Sequence, residues 1–132
     1  MNLPVSQFRS RLERRYADNL FGQKHLGTIL SYAHEPDVFQ LGFDLRFTPD
    51  FRVETREGVQ YHEVKGPFFR DDARVKLFAC ASAFPEIPFY LVKMTAAGWK
   101  IDRVRTVTPT VQPRRATPAA QLASLAGQPA RG

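Results

Sequence analysis

Apolar residues recur at every fourth position near the start of the chain. In 6–21, SQFRSRLERRYADNLF, these are Phe8, Leu12, Tyr16 and Leu20. The spacing predicts a helix with one apolar stripe. Ser6 is placed to cap it and Gly22 to stop it. From residue 27 the period shortens. GTILSYAHEPDVFQLGFDLR is rich in β-branched and aromatic residues and is broken at Glu35-Pro36-Asp37. It predicts strands over 28–33 and 37–43. In 46–55, Phe47, Phe51 and Val53 alternate with polar residues, as in a half-buried strand. Arg56-Glu57-Gly58 makes a turn. A second strand over 59–65 runs up to Gly66-Pro67.

Residues 71–83, DDARVKLFACASA, predict a second helix, with Ala73, Leu77 and Cys80 or Ala81 turned inward. Asp71 or Asp72 suits its positive end. A buried strand over 88–94 and a short one over 99–104 follow. Helix, mostly antiparallel strands, helix, strand, strand is an α+β or α/β sandwich around a mixed sheet. The 132 residues suit one domain. That domain is expected over 1–105. Residues 106–132, with four Pro, no aromatic and no acid, are expected to form a disordered Pro/Ala/Arg tail.

Charge changes the picture only locally. The net charge is +6, but residues 103–132 hold five Arg and no acid, so most of the excess belongs to the tail. The remainder is nearly balanced, and a globally basic DNA-binding surface does not follow. The single cysteine, Cys80, excludes an intrachain disulfide and a cysteine zinc site. The first residues contain no apolar leader, and no run is long enough to span a bilayer. A soluble, cytoplasmic protein is expected.

The candidate chemistry lies in 47–66, FTPDFRVETREGVQYHEVKG. Side chains alternate along a strand, so Glu63 and Lys65 share a face. A tight turn at 56–58 sets Asp50 opposite residue 63 or 64. A slip of one residue would turn Asp50 to the other face. Two adjacent carboxylates repel, and a divalent cation relieves them. Oxygen ligands suit Mg²⁺ or Mn²⁺. Such an ion polarises a phosphate and brings hydroxide within reach near neutral pH. A lysine beside it serves the water and the charge of the transition state. The set fits phosphodiester hydrolysis.

Pro49-Asp50, twelve residues, then Glu63-Val64-Lys65 resembles the PD-(D/E)xK nuclease superfamily. Thr48-Pro49-Asp50-Phe51, Glu63-Val64-Lys65-Gly66, Asp71-Asp72-Ala73-Arg74-Val75-Lys76 and Phe84-Pro85-Glu86 look like the phage endonuclease I group of Holliday junction resolvases. The likeness covers roughly residues 6–104. It implies a restriction-endonuclease-like core, with a mixed sheet of about four to five strands between helices in the order αβββαβ. It implies Asp50, Glu63 and the Val64 backbone carbonyl as metal ligands, Lys65 at the attacking water, and a further carboxylate, Glu13, from Ser10-Arg11-Leu12-Glu13. Mg²⁺ as cofactor with Mn²⁺ as substitute, branched DNA as substrate and a homodimer are implied with it. The SxLE and TPDF elements are similar, more loosely, to the endonuclease subunit of heteromeric transposases. That subunit, and a noncatalytic nucleic-acid-binding domain with the same fold, are the alternatives.

Other residues carry less. Arg70, Arg74 and Lys76 are expected on DNA phosphates, although Lys76 also stands four residues after Asp72 as a helix ion pair. Glu13 sits among arginines, where a surface salt bridge competes with catalysis. Glu35 and Asp37 read as turn carboxylates. His62 falls on the face opposite Glu63, and His25 and His34 show no metal-ligand spacing.

Overall fold

The computed structural model describes residues 10–66 and 71–105. The expectations for Ser6, Phe8, Arg70 and the 106–132 tail lie outside them. The first helix, α1, spans Arg11–Leu26. Its cap is Ser10, not Ser6. Ser10 is extended at φ −146°, and its hydroxyl accepts the Glu13 N–H at 3.2 Å. Gly22 lies inside the helix. The stop is Gly27, at φ 80°, where a side chain would be strained. The apolar stripe holds, and Tyr16, Ala17 and Leu20 are buried along it.

Among the described residues, five strands precede the second helix and two follow it. They are β1 (Ser31–His34), β2 (Phe39–Gly42), β3 (Leu45–Phe47), β4 (Phe51–Thr55), β5 (Gly58–Lys65), then α2 (Asp71–Ala83), β6 (Phe89–Thr95) and β7 (Gly98–Arg103). Five strands form a mixed sheet in the order β1-β4-β5-β6-β7, flanked by the two helices, so the fold is α+β. Only β5 and β6 run parallel. The chain order is longer than αβββαβ, because β2 and β3 leave the sheet as a separate antiparallel ribbon and β7 is added at its edge.

Alternation along the strands divides the core in two. Phe51, Val53, Val64 and Val92 pack on Tyr16, Ala17 and Leu20 of α1. Tyr61 and Phe89 pack on Leu77, Cys80 and Ala81 of α2. Phe47, expected on one face with Phe51 and Val53, instead joins the α2 cluster. Pro49, itself fully buried, cannot donate to a ladder, so the strand breaks at 48–50 and the alternation restarts. Trp99 lies edge-on to Tyr16, with ring centroids 5.0 Å apart. None of the described helices is long and apolar enough to cross a membrane.

Candidate metal centre

The β4–β5 turn sets the register. Thr55 pairs with Gly58, its hydroxyl donates to the Gly58 carbonyl at 3.0 Å, and Gly58 takes φ 130°. Pairing then runs back to Phe51 opposite His62. One residue further, Asp50 meets Glu63. The strand break at Pro49 leaves Asp50 just outside β4, where its side chain is not bound by the strand's alternation. The slipped register, with Asp50 against Val64, does not occur.

The two acids are tied by each other's strand. The Asp50 N–H donates to Glu63 Oε1 at 2.9 Å, and the Val64 N–H donates to Asp50 Oδ2 at 2.8 Å. The Asp50 carbonyl accepts the Glu35 N–H at 2.8 Å. Glu13 arrives from the first turn of α1. The S-x-x-E sequence suits a reciprocal capping box, and here the Glu13 amide is held by Ser10. The Glu13 side chain is buried, and its carboxyl acts on that of Asp50. Glu13, Asp50 and Glu63 are all under 9% exposed.

Burial pushes the Asp50 carboxyl well above the usual carboxylate range. The charges of Glu63 and Glu13 push it further, and only the Val64 N–H opposes them. Three buried acids cannot all ionise at this spacing without a proton or a cation among them. Their donors are oxygens, which fits a hard divalent ion.

His34 and Glu35 extend this centre, and the sequence pattern did not show it. His34 Nε2 lies 3.6 Å from Glu13 Oε1 and 3.9 Å from Glu35 Oε1. Glu13, His34 and Glu35 each offer one ligand atom, all within 4.8 Å of one another, a set able to hold a metal ion. Glu35 is more than a turn carboxylate. Its backbone sits at φ 47°, a left-handed conformation uncommon for this residue, and that twist directs its N–H at Asp50. The ligand spacing missing along the chain is created by pairing β1 against β4, with His34 opposite Phe51. The adjacent Glu-Pro-Asp break was the one available signal. Asp37, by contrast, is structural, pairing with Arg52 at 2.9 Å and accepting from Tyr61 at 2.7 Å.

Lys65 lies two residues after Glu63 on the same face, half-buried at the end of β5. A cavity of about 290 Å³ opens beside Glu63, lined also by Arg46, Phe47, Thr48, Asp72 and Lys76. Lys76 therefore stands at the site, and Arg46, which the sequence pattern did not single out, stands there with it. Arg74 does not line this cavity. It is exposed, with its guanidinium 5.8 Å from the Phe78 ring centre. His62, on the opposite face, is buried between α1 and the sheet. Its Nε2–H donates to Gln60 Oε1, leaving Nδ1 to accept from the Tyr16 hydroxyl. Burial lowers its pKa to about 4, so it stays neutral.

No protein-family model, curated protein or solved structure matches the chain.

Proposed function

We propose that this protein is a metal-dependent DNA endonuclease that cuts branched DNA, in the manner of a junction-resolving enzyme of a phage or mobile element. The supporting observation is the meeting of Glu13, Asp50 and Glu63 as buried, mutually repelling carboxylates beside a cavity that also carries Arg46 and Lys76. Asp50 and Glu63 would hold the ion, together with the Val64 carbonyl, and Glu13 would complete its charge balance. A bound Mg²⁺, or Mn²⁺ in its place, would supply a polarised phosphate oxygen and an acidified water.

The chain's own groups have separate tasks. The Asp50 and Val64 amides fix the two carboxylates, so little reorganisation accompanies reaction. Lys65 orients the attacking water and offsets charge on the pentacovalent phosphorus. Water adds to phosphorus, the bridging P–O bond breaks, and the leaving oxygen takes up a proton. Arg46 and Lys76 hold phosphate oxygens at the cavity, where a charged donor suits a polyanion. Cutting two strands of a junction needs two such centres, so the working unit is a homodimer in the cytoplasm, where its DNA lies.

Cleavage mapping on linear, flapped and four-way DNA in Mg²⁺ tests the substrate. Paired cuts flanking the four-way branch point are expected. Equal cutting of linear duplex would remove the junction-resolving part of the reading.

A further inference from the structure

The C-terminal ends of the parallel strands carry a row of lysines. Lys65 of β5 is in register with Lys93 of β6, and Lys93 is in register with Lys100 of β7. Residues in register project to the same face, on strands about 4.8 Å apart. That face belongs to Glu63, two residues before Lys65. Leu91, two before Lys93, packs with the α2 cluster and gives the same assignment. Three lysines therefore leave the same face on neighbouring strands, from β5 beside the metal centre to the sheet edge at β7.

Like charges facing each other across strands destabilise a sheet. Among the described residues only Lys100 of the three forms an ion pair, with Asp102 at 3.8 Å, and both partners are more than half exposed. Lys93 is half-buried, so its stem is held, and its ammonium forms no ion pair among the described residues. Arg46 and Lys76 line the cavity beside Glu63. Positive groups thus stand at the cavity beside Glu63 as well as in the line of lysines across β5, β6 and β7. A linear polyanion complements that line.

Resting on the nuclease reading above, we propose that Lys93 and Lys100 form the track along which the cut DNA strand passes from the metal centre to the edge of the sheet. Each holds one phosphate beyond the scissile one. The strand crosses β5, β6 and β7 transversely, and the four-carbon lysine stems adapt to the phosphate spacing.

The test measures binding of a labelled four-way junction at several salt concentrations, in Mg²⁺, with Asp50→Asn as the parent to prevent cutting. Each phosphate contact contributes about 0.9 to the slope of log affinity against log salt. Lys93→Gln with Lys100→Gln should lower that slope by about 1.8. Lys93→Arg with Lys100→Arg should keep it, and Lys24→Gln on α1 should leave it unchanged. An unaltered slope in the double Gln variant, or an equal loss in Lys24→Gln, would overturn the track. Cutting by the native chain is scored separately. A chain that never cuts yet shows the lysine-dependent slope overturns the nuclease reading alone. One that cuts while the slope ignores both lysines overturns the track alone.

Discussion

Asp50 and Glu63 hold each other through their backbones. The amide of Asp50 binds the Glu63 carboxylate at 2.9 Å, and the amide next to Glu63 binds the Asp50 carboxylate at 2.8 Å. This reciprocity forces two acids together despite their repulsion, and it makes the apo protein carry a cost at the site. Asp50, whose pKa is raised by burial and then by Glu63 and Glu13, contributes stability below its unfolded value of 3.8 that is lost as pH rises through its folded value. Asn at position 50 cannot ionise and still accepts the Val64 N–H. In EDTA at pH 7, Asp50→Asn should raise stability by at least about 1 kcal/mol. By calorimetry that is a Tm increase of about 4–8 °C. Mg²⁺ should raise the Tm of the native chain and not that of the variant. A lower Tm for Asp50→Asn in EDTA would show that the carboxylate is not repelled.

Binding and chemistry should separate at Glu63 and Lys65. Glu63→Gln keeps an acceptor for the Asp50 amide but loses a ligand charge. It should reduce cleavage by more than the about 10–100-fold typical of groups that merely support a ligand, with weaker Mg²⁺ uptake by titration calorimetry. Lys65→Ala should leave Mg²⁺ uptake unchanged and still depress the cleavage rate. Loss of both properties in Lys65→Ala would assign Lys65 to the fold.

His62 gives a pH dependence of opposite sign to that of Asp50. Its pKa falls from 6.5 to about 4 on burial, so its contribution is present above pH 6.5 and is lost as pH falls through 4. At about 1.36 kcal/mol per pKa unit, the loss across that window is about 3 kcal/mol. Urea unfolding at pH 7 and pH 4 should show it in the native chain, and His62→Gln should flatten it. Removing the hydroxyl that His62 binds, in Tyr16→Phe, should cost about 1–3 kcal/mol at pH 7.

Much of the fold was legible because the signals were local. The stripe of Leu12, Tyr16 and Leu20, the alternation along 59–65 and the α2 segment all describe one element at a time. The errors came where one element constrains another. The start of α1 could not be read from its stripe, since Ser6 and Ser10 both offer a cap in sequence, and the extended backbone and accepting hydroxyl at Ser10 set the start at Arg11. Phe47 fitted a continuous strand until Pro49 broke it. The Asp50–Glu63 register depended on whether the turn held two residues between paired positions, which Thr55 and Gly58 decide. His34 and Glu35 joined the centre only through β1–β4 pairing and a positive φ at Glu35, neither of which has a sequence spacing. Arg46 reached the cavity by way of the β2–β3 ribbon, an element that read as part of longer strands.

That ribbon carries a correctable strain. Its turn residues Phe43 and Asp44 sit at φ 49° and 61°, and Phe43 is fully exposed. Two-residue turns with positive φ at both positions favour Asn-Gly. Phe43→Asn with Asp44→Gly should stabilise the protein by about 1 kcal/mol, read as a higher urea midpoint with an unchanged slope. A lower midpoint would mean that Phe43 has a packing partner in solution.

The most direct measurement is the rate at which the full chain cuts a labelled four-way junction, with Mg²⁺ and with EDTA, alongside Asp50→Asn. Cutting should occur only with the native chain and only with Mg²⁺, and the folded Asp50→Asn protein should be inert. Equal cutting by Asp50→Asn, undiminished cutting in EDTA, or no cutting by the native chain would contradict a metal-dependent nuclease built on Glu13, Asp50 and Glu63.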